Sequence, residues 1–288
     1  MEYLIHLAIL ISIYSILAIS LNLVIGYTGL LSVTHAAFFG TGAYATAILM
    51  TTTEMGFFTS VIVGIIVTAI ISFLVGVIMS RFDGDMYALV SFGFNVIVFS
   101  IFLNWQELTR GPLGIPGIGK PEIFGLKLSG SLEFLILAVI FALIMYALGE
   151  YIAKSSFGRV LKAIREDEKA IQIFGYNTSF FKLAIFVIAA AMAAVAGSLY
   201  ASYISFIDPS TFGLIESIFI LSIVILGGLA SNKGVVVGTI FLILLPEILR
   251  FVGFPTDVAA QMRQVVYGLL LILLMLYRPQ GLMGEYKL

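Results

Sequence analysis

The sequence predicts an all-α, polytopic integral membrane protein with about 8–10 transmembrane helices, some of them broken, and one amphipathic helix in the cytoplasm. Hydrophobic residues make up 61% of the 288 residues and charged residues 11%, whereas soluble domains have roughly 45–50% and about 25%. A chain this apolar cannot cover itself with polar surface, so lipid is its solvent. The net charge of −1 excludes a basic footprint for nucleic acid.

Apolar segments that are long enough to cross a bilayer recur along the chain. A spanning helix needs about 20 apolar residues, and about nine segments meet that requirement. They are residues 4–25, 30–53, 57–80, 86–103, 132–153, 182–204, 213–231, 235–252 and 264–278. The first follows Met1-Glu2-Tyr3, which lacks the basic stretch of a cleavable signal peptide, so we interpret it as a span. We expect one transmembrane domain over residues 1–288, because no polar stretch is long enough for a soluble one.

Three of these segments contain glycines and polar side chains. They are Ser32, Thr34, His35, Gly40, Thr41 and Gly42 in the second segment, Gly93 and Asn95 in the fourth, and Gly227 and Gly228 in the seventh. Such a segment is either a broken helix whose unwound backbone lines a cavity or a helix whose small residues allow close packing. The sequence leaves both interpretations open for each segment.

Positive charge is distributed unequally between the two sides of the predicted spans. With loop 154–181 placed inside, ten Lys and Arg fall on the interior side and five on the exterior side. The interior ones are Arg81, Lys154, Arg159, Lys162, Arg165, Lys169, Lys182, Lys233, Arg278 and Lys287, and the exterior ones are Arg110, Lys120, Lys127, Arg250 and Arg263. This distribution obeys the positive-inside rule. It predicts an N-terminus outside and a C-terminus in the cytoplasm.

The one long exterior loop comprises residues 104–131. Its glycines and prolines at 111–117 predict tight turns rather than a helix. The loop also contains Trp105, the only tryptophan of the chain, and tryptophan favours the membrane interface. The loop is therefore either anchored at the interface by this side chain or a surface for an external partner.

Residues 157–174 predict an amphipathic cytoplasmic helix. An apolar stripe recurs at helical spacing, and a cationic stripe recurs beside it. The stripes are Phe157, Val160, Leu161, Ile164, Ile171 and Phe174, and Arg159, Lys162, Arg165 and Lys169. Gly175 follows, where a helix often ends on a left-handed residue.

Three interpretations of this helix compete. It lies on anionic lipid, it is a solvated helix without a partner, or it docks its apolar stripe into a groove of a cytosolic protein. The acidic run Glu166, Asp167 and Glu168 counts against the lipid surface, which is itself negatively charged.

Two long segments resemble the permeases of ABC importers for branched-chain amino acids, of the LivM type. Residues 158–201 resemble the cytoplasmic loop and following span of that family, and residues 21–47 resemble its N-terminal signature. The sister LivH type typically carries an acidic residue after the corresponding His-Gly. Here the run is His35-Ala36-Ala37, which favours LivM. Residues 109–115 resemble the family's Thr-Gly-Gly-x-x-Gly loop, with Arg110 replacing the first glycine.

One departure from the family concerns the fourth span. The family often carries an acidic residue there, in a run like Phe-Gly-Glu, whereas this chain has Phe92-Gly93-Phe94-Asn95. If that carboxylate sets substrate choice, the substrate of this chain differs. Related permeases move urea, short amides or simple sugars, and the sequence leaves these solutes open as alternatives.

The resemblance implies a partnership in the prokaryotic plasma membrane. Two permeases, which are this chain and a second homologous one, would join two cytosolic ATPases and an extracytoplasmic substrate-binding protein, with membrane lipid around them. The run Glu168-Lys169-Ala170 with Gly175 stands where such permeases carry a Glu-Ala-Ala…Gly loop, so segment 154–181 would contain the coupling helix. The predicted ATPase-coupling residues are Arg159, Lys162, Arg165, Glu166, Asp167, Glu168, Ala170 and Gly175.

Catalytic chemistry is not expected of this chain itself. It has no glycine-rich phosphate-binding loop, no cysteine, and no cluster of metal-ligating or catalytic residues. We therefore expect no enzyme activity, no cofactor and no metal.

Polar side chains inside the spans are candidates for the translocation path. They are Asn22, Thr28, Ser32, Thr34, His35 and Asn95. The alternative is that they bond across helices, and for His35 we favour a hydrogen-bonded structural role. Glu216 and Glu247 also lie in apolar segments, toward the predicted exterior ends, where charges reach the interface cheaply.

Two other classes compete with the importer permease. A secondary transporter driven by protons or sodium would need an ion site, and few carboxylates lie at mid-membrane. A membrane enzyme would need paired acids, a metal cluster or a nucleophile with its base. Under the permease hypothesis, charge reversal at Arg165 or Glu166 uncouples ATP hydrolysis from transport.

Overall fold

Helices dominate the computed structural model of the chain. It describes residues 2–251 except 54, 83, 124–125 and 129, and beyond them only residues 265, 268–269, 272–273, 276, 280–284 and 286. The helices are α1 (Glu2–Thr28), α2 (His35–Thr52), α3 (Phe57–Met79), α4 (Gly84–Asn104), α5 (Gln106–Thr109), α6 (Ser131–Lys154), α7 (Ser156–Glu166), α8 (Glu168–Ile173), α9 (Thr178–Ile204), α10 (Leu214–Gly227) and α11 (Asn232–Phe251). Two-residue strands are β1 (Ile115–Pro116), β2 (Glu122–Ile123), β3 (Leu126–Lys127) and β4 (Phe206–Ile207).

The predicted all-α, multi-pass fold is confirmed in this part of the chain. Helices α1, α3, α4, α6 and α9 are long and apolar enough to cross a membrane, and α10 is a shorter apolar helix. Helices α2 and α11 occupy the second and eighth predicted spans. The ninth predicted span, 264–278, lies outside the described residues apart from isolated positions.

Helices α1 and α9 form the centre of the bundle. In the most apolar 18-residue stretch of each helix, 78% of the residues are buried in α1 and 61% in α9. The corresponding shares are 28% in α3, 28% in α4 and 22% in α6. Peripheral helices of this kind present their remaining apolar side chains to lipid or to another protein.

Glycines set the distance between α2 and α9. A Cβ on Gly42 would lie 2.4 Å from the Cα of Ala194, and a Cβ on Gly197 would lie 2.1 Å from the carbonyl oxygen of Phe39. The glycines of segment 30–53 therefore serve close helix packing, while residues 29–34 before α2 are not helical. Close packing is therefore the interpretation that holds for the helical part, and residues 29–34 form the connection between α1 and α2.

The other two Gly-containing segments differ from each other. Helix α4 runs unbroken through Gly93, so a broken helix was the wrong interpretation there. Helix α10 ends at Gly227, because Gly228 takes φ +108° and residues 228–231 leave the helix before α11 begins.

The exterior loop is folded onto the end of α9. Strand β1 pairs antiparallel with β4, which follows α9 directly. The loop is not made of turns alone, since it begins with helix α5 and a 3-10 turn at Gly111–Leu113. Between them, Arg110 takes φ +59°, a region in which glycine is favoured. This geometry explains why the similar family motif has glycine at that position.

Segment 154–181 contains two helices rather than the one predicted. Asp167 takes an extended conformation (φ −153°, ψ 97°), which ends α7, and its side chain accepts the backbone N–H of Ala170 to begin α8. An aspartate is a preferred N-cap, so the acidic run that we had placed inside one helix is where the chain turns. Gly175 takes φ +86°, as predicted for a residue that follows a helix.

We expect Gly197→Ala to separate α2 from α9. The added methyl group meets the backbone of Phe39, which cannot move aside, and overpacking of this kind costs about 1–3 kcal/mol. The control is Gly93→Ala in α4, where no atom lies within 4 Å of the new Cβ. Thermal unfolding of the purified protein in detergent should show a lower melting temperature for Gly197→Ala only. Equal melting temperatures would contradict this packing.

Candidate functional site

The apolar stripe of α7 packs against the protein's own spans. Leu161 and Ile164 are buried, and Leu161 joins a cluster with Ile19 and Leu23 of α1 and Ile185 of α9. This stripe is therefore not available to a groove of another protein, as the docking interpretation required. The interpretation is wrong for α7, because the bundle itself is the groove that α7 occupies.

A different set of apolar side chains faces away from the bundle. Ile173 is 86% exposed, Phe174 77% and Tyr176 48%, and together they form what we call the α8 tip. A contiguous exposed apolar patch rimmed by polar residues is typical of an interaction site. Of the predicted apolar stripe, Phe174 is thus the member that is free to contact a partner.

Arg165 fastens α7 to the end of α1. Its Nη1 donates to the carbonyl oxygen of Ile25 at 2.9 Å and to that of Gly26. These carbonyls belong to the last turn of α1, where the helix dipole is negative. The Ile25 carbonyl also accepts the backbone N–H of Gly29 at 3.0 Å. The Arg165 guanidinium also lies over the ring of Tyr286, 4.4 Å from its centroid. Arg165 therefore contacts the protein itself instead of projecting toward a partner.

The environment of Arg165 leaves its charge intact. Burial lowers the pKa of the guanidinium, while Tyr286 and Glu166 act in the opposite direction. Because an arginine pKa begins above about 12, the group is protonated at any physiological pH. The contact with α1 therefore does not depend on pH.

The remaining predicted coupling residues divide into two groups. Lys162 lies 5.4 Å from the ring centroid of Tyr27 in α1, and so faces the bundle. Arg159 and Glu166 are exposed, and Arg159 donates to the Lys154 carbonyl and the Ser156 hydroxyl of its own segment. This second group, like Asp167, presents charge to the surroundings.

The start of α8 is held to α9 by an ion pair. The Nζ of Lys182 lies 2.8 Å and 2.9 Å from the two carboxylate oxygens of Glu168. The side chain of Lys182 is 5% exposed and that of Glu168 27%. Asp167 caps the same helix, and Ala170 supplies the capped N–H. The acidic residues of this segment thus position α8.

A second polar network joins α1 to the break between α10 and α11. Asn22 accepts the backbone N–H of Ala230 at 3.0 Å and donates to Asn232 at 2.9 Å. Asn232 in turn donates to Glu150 of α6 at 3.2 Å. Asn22 is fully buried, so its polar atoms link three helices.

The loop before α2 is fixed by side chains from α4 and α10. Asn95 donates to the carbonyl of Val33 at 3.1 Å and to the Ser217 hydroxyl at 2.8 Å. Ser91 accepts the N–H of Val33, and Ser217 accepts that of Ala36, both at 3.0 Å. The amide nitrogen of Asn95 thus holds the backbone before α2, while its buried Oδ1 has no hydrogen-bond partner among the described residues.

The other path candidates are also buried. The hydroxyl of Thr28 donates to the Val24 carbonyl at 2.7 Å. Ser32 and Thr34 are hydrogen-bonded to each other at 2.9 Å. Five of the six candidates therefore use polar atoms within the chain, and their role in a path stays a prediction.

His35 lacks the hydrogen bond that we predicted for it. The side chain is 1% exposed, and neither ring nitrogen has a hydrogen-bond partner in the part of the chain that the structure describes. The backbone of Ser20 lies beside the ring without reaching hydrogen-bonding geometry. The ring packs edge-on against Phe38, with centroids 6.3 Å apart. His35 fills space at the first residue of α2.

A buried contact between α1 and α10 was not foreseen. Tyr14 donates its hydroxyl to the carboxylate of Glu216, which lies in the first turn of α10. The sequence marked Glu216 as an intramembrane acid but gave no partner. The signal that could have found one is weak, because a tyrosine amid leucine and isoleucine is ordinary in a membrane helix.

Comparison with known proteins gives consistent relatives. A family model described as "Branched-chain amino acid transport system / permease component" matches residues 3–275. The chain is 33% identical to the "High-affinity branched-chain amino acid transport system permease protein LivM" of Salmonella typhimurium over 97% of this chain and 69% of that protein. The same figures hold for LivM of Escherichia coli K12. LivH of Salmonella typhimurium is 31% identical over 95% of this chain and 92% of its own length. No solved structure matches.

We expect Lys182→Met to loosen α8. The substitution keeps the length of the side chain but leaves the Glu168 carboxylate without its cation. Hydrogen exchange followed by mass spectrometry should show faster exchange in residues 168–176, by about tenfold. Lys169→Met is the matched control, because Lys169 is exposed on the same helix. Equal exchange in both variants would show that the ion pair does not hold α8.

Proposed function

This chain belongs to the family of branched-chain amino acid transport system permease components, and we propose that it forms the translocation path of an ATP-driven importer for branched-chain, hydrophobic amino acids. Relatives named LivM support the substrate class. The observation that carries the proposal is the cytoplasmic segment, which offers an apolar tip outward and is fastened to α1 inward. A permease that receives mechanical work from an ATPase needs both features.

The proposed assembly contains partners on both sides of the membrane. Two cytosolic ATPases contact the permeases at the α8 tip of this chain and its counterpart on a second, homologous permease. An extracytoplasmic binding protein delivers the amino acid. This arrangement places residues 154–181 in the cytoplasm and the N-terminus outside, with the basic residues on the inner side supporting the orientation.

The contacts of α7 suggest how movement reaches the membrane. When ATP closes the ATPase pair, the α8 tip is displaced, and the Glu168–Lys182 ion pair passes the force to the start of α9. Helix α7 moves as one body with the end of α1, because Arg165 bonds to the carbonyls there. From α1, the Asn22 network reaches the break between α10 and α11. Helix α10 is short and ends at this break, so its angle can change without movement of the whole bundle.

The path itself is proposed to bind its substrate weakly. An amino acid carries a carboxylate and an ammonium group, and a tight site would require a cation and an acid side by side. The part-buried Glu216 is bonded to Tyr14 rather than to a cation. The acid–cation pair Glu150–Lys154 lies at the end of α6 instead of inside the bundle. Selectivity then resides mainly in the binding protein.

Another small solute is the second candidate. The run Phe92-Gly93-Phe94-Asn95 in the fourth span contains no acid. The amide nitrogen of Asn95 donates to Val33 and Ser217, and the side chain adds no charge for an ammonium group. A neutral solute such as urea or a short amide would not require that charge. Competition between leucine and these amides for uptake separates the two substrates.

The assembled importer in proteoliposomes provides the test. With ATP inside and the binding protein outside, we expect leucine uptake that persists when an ionophore collapses the ion gradients.

We expect Phe174→Ala to weaken association with the ATPases by tenfold or more, because loss of a central aromatic anchor typically costs ~2 kcal/mol. The control is Tyr151→Ala on α6, which also removes an exposed aromatic, 75% accessible.

Each outcome has a separate meaning. Uptake that stops with the ionophore while ATP persists would identify a secondary transporter and contradict the proposal. Normal ATPase association in Phe174→Ala would mean that the α8 tip is not the contact with the ATPases. It would not contradict an importer. Uptake of urea or an amide in place of leucine would change the substrate alone.

A further inference from the structure

A narrow cleft of about 410 Å³ runs between α1, α6 and α11. Its walls are apolar, with Ile11 and Ile19 from α1, Val139 and Ala142 from α6, and Val236 from α11. It opens on the side where α6 presents its most exposed apolar residues to the surroundings. The cleft therefore faces the membrane rather than water.

The length of the cleft matches part of one leaflet. Along α6 it extends from Val139 to Tyr146, a rise of roughly 10 Å at 1.5 Å per residue. The hydrocarbon core of a bilayer is about 30 Å thick, so one leaflet spans about 15 Å. An acyl chain that lies in the cleft would thus be enclosed over most of its depth.

Charge is confined to one end of the cleft. Lys233, the second residue of α11, lines this end together with Tyr146. Glu150 and Lys154 lie close by and form an ion pair at 2.7 Å, so their charges cancel. Lys233 makes no ion pair in the described part of the chain, and the end of the cleft has a net positive charge.

From this arrangement we propose that the cleft binds an anionic phospholipid, with one acyl chain between α1 and α6 and its phosphate at Lys233 and the Tyr146 hydroxyl. A basic pocket between transmembrane helices is a recognised way of holding such a headgroup. In the proposed topology, this lipid lies in the cytoplasmic leaflet. The binding of the lipid does not depend on that topology. The lipid would brace α11 against α1, beside the Asn22 network.

A second protein is a poorer occupant of the same cleft. A stable protein interface buries more than about 1,000 Å² and is flat enough to pack, whereas this cleft is narrow and apolar along its length. A charged end on an otherwise apolar groove matches a molecule with one anionic end and one long hydrocarbon tail.

Photocrosslinking of the full-length protein in nanodiscs gives the direct test. The probe is phosphatidylglycerol with a diazirine in its acyl chain, and phosphatidylcholine with the same group is the neutral comparison. We expect crosslinks in α1, α6 and α11 near Ala142, with phosphatidylglycerol favoured. Symmetric nanodiscs present lipid to both ends, so the result is independent of the topology and of transport.

Variants separate the site from bulk electrostatic attraction. Lys233→Gln should lower phosphatidylglycerol labelling about fivefold, because it removes the cation that contacts the bound phosphate, and one such contact changes binding by about that factor. Arg81→Gln removes one exposed positive charge at the end of α3 and should leave labelling unchanged. Ala142→Phe should block the cleft to both lipids.

Three results would overturn the proposed lipid site. Equal losses in Lys233→Gln and Arg81→Gln would overturn the proposal in favour of unspecific attraction. Crosslinks outside the three helices in the unmodified protein would do the same, without relying on any variant folding. Wild-type labelling lost on addition of the second permease would identify the cleft as a protein interface.

Discussion

The guanidinium of Arg165 on the carbonyls of Ile25 and Gly26 is the contact on which the arrangement of residues 154–181 depends. A helix end concentrates negative partial charge on its carbonyls, and in α1 this end receives the cation from α7. The approach requires small residues at this end of α1. Gly29 takes φ +74°, and a Cβ there would lie 3.2 Å from Arg165. A Cβ on Gly26 would lie 2.6 Å from the backbone nitrogen of Ala230.

Two elements therefore meet at the end of α1. Arg165 arrives from the cytoplasmic segment, and Ala230 arrives from the break between α10 and α11, held by Asn22 and by the Tyr27 hydroxyl. Because α1 is the most buried span, displacement of its end affects the whole bundle. In the proposed importer, this junction connects ATPase movement to the membrane.

Sequence reasoning succeeded where the physical signal is local. Apolar length gave eight of the helical segments, and Gly175 marked the end of the cytoplasmic helix. Sequence reasoning failed where the outcome depends on which part of the protein a residue packs against. The stripe of α7 would suit a protein groove or the chain's own spans equally well, and nothing in its spacing indicates that Leu161 faces Ile19. The break at Asp167 was missed because a single aspartate suits both a helix surface and a cap.

The interior polar residues illustrate the same limit. Asn22 and Asn95 were recognised as unusual for a span, but whether an amide faces a path or a neighbouring backbone depends on residues 62 to 208 positions away. His35 drew attention as a titratable group, and its ring is packed against Phe38 without a hydrogen-bond partner among the described residues. Burial and pairing of such groups are properties of the assembled bundle.

The most direct measurement is the number of leucine molecules imported per ATP hydrolysed by the reconstituted complex, for Arg165→Ala and Arg165→Lys against Arg159→Ala. Arg159 is exposed on the same helix, and its guanidinium donates to Lys154 and Ser156 of its own segment. Lysine keeps the charge but lacks the planar fork that reaches two carbonyls. We expect both Arg165 variants to hydrolyse ATP and to lose at least tenfold in transport per ATP, with Arg159→Ala unaffected. An unchanged ratio in Arg165→Ala would contradict transmission through this contact.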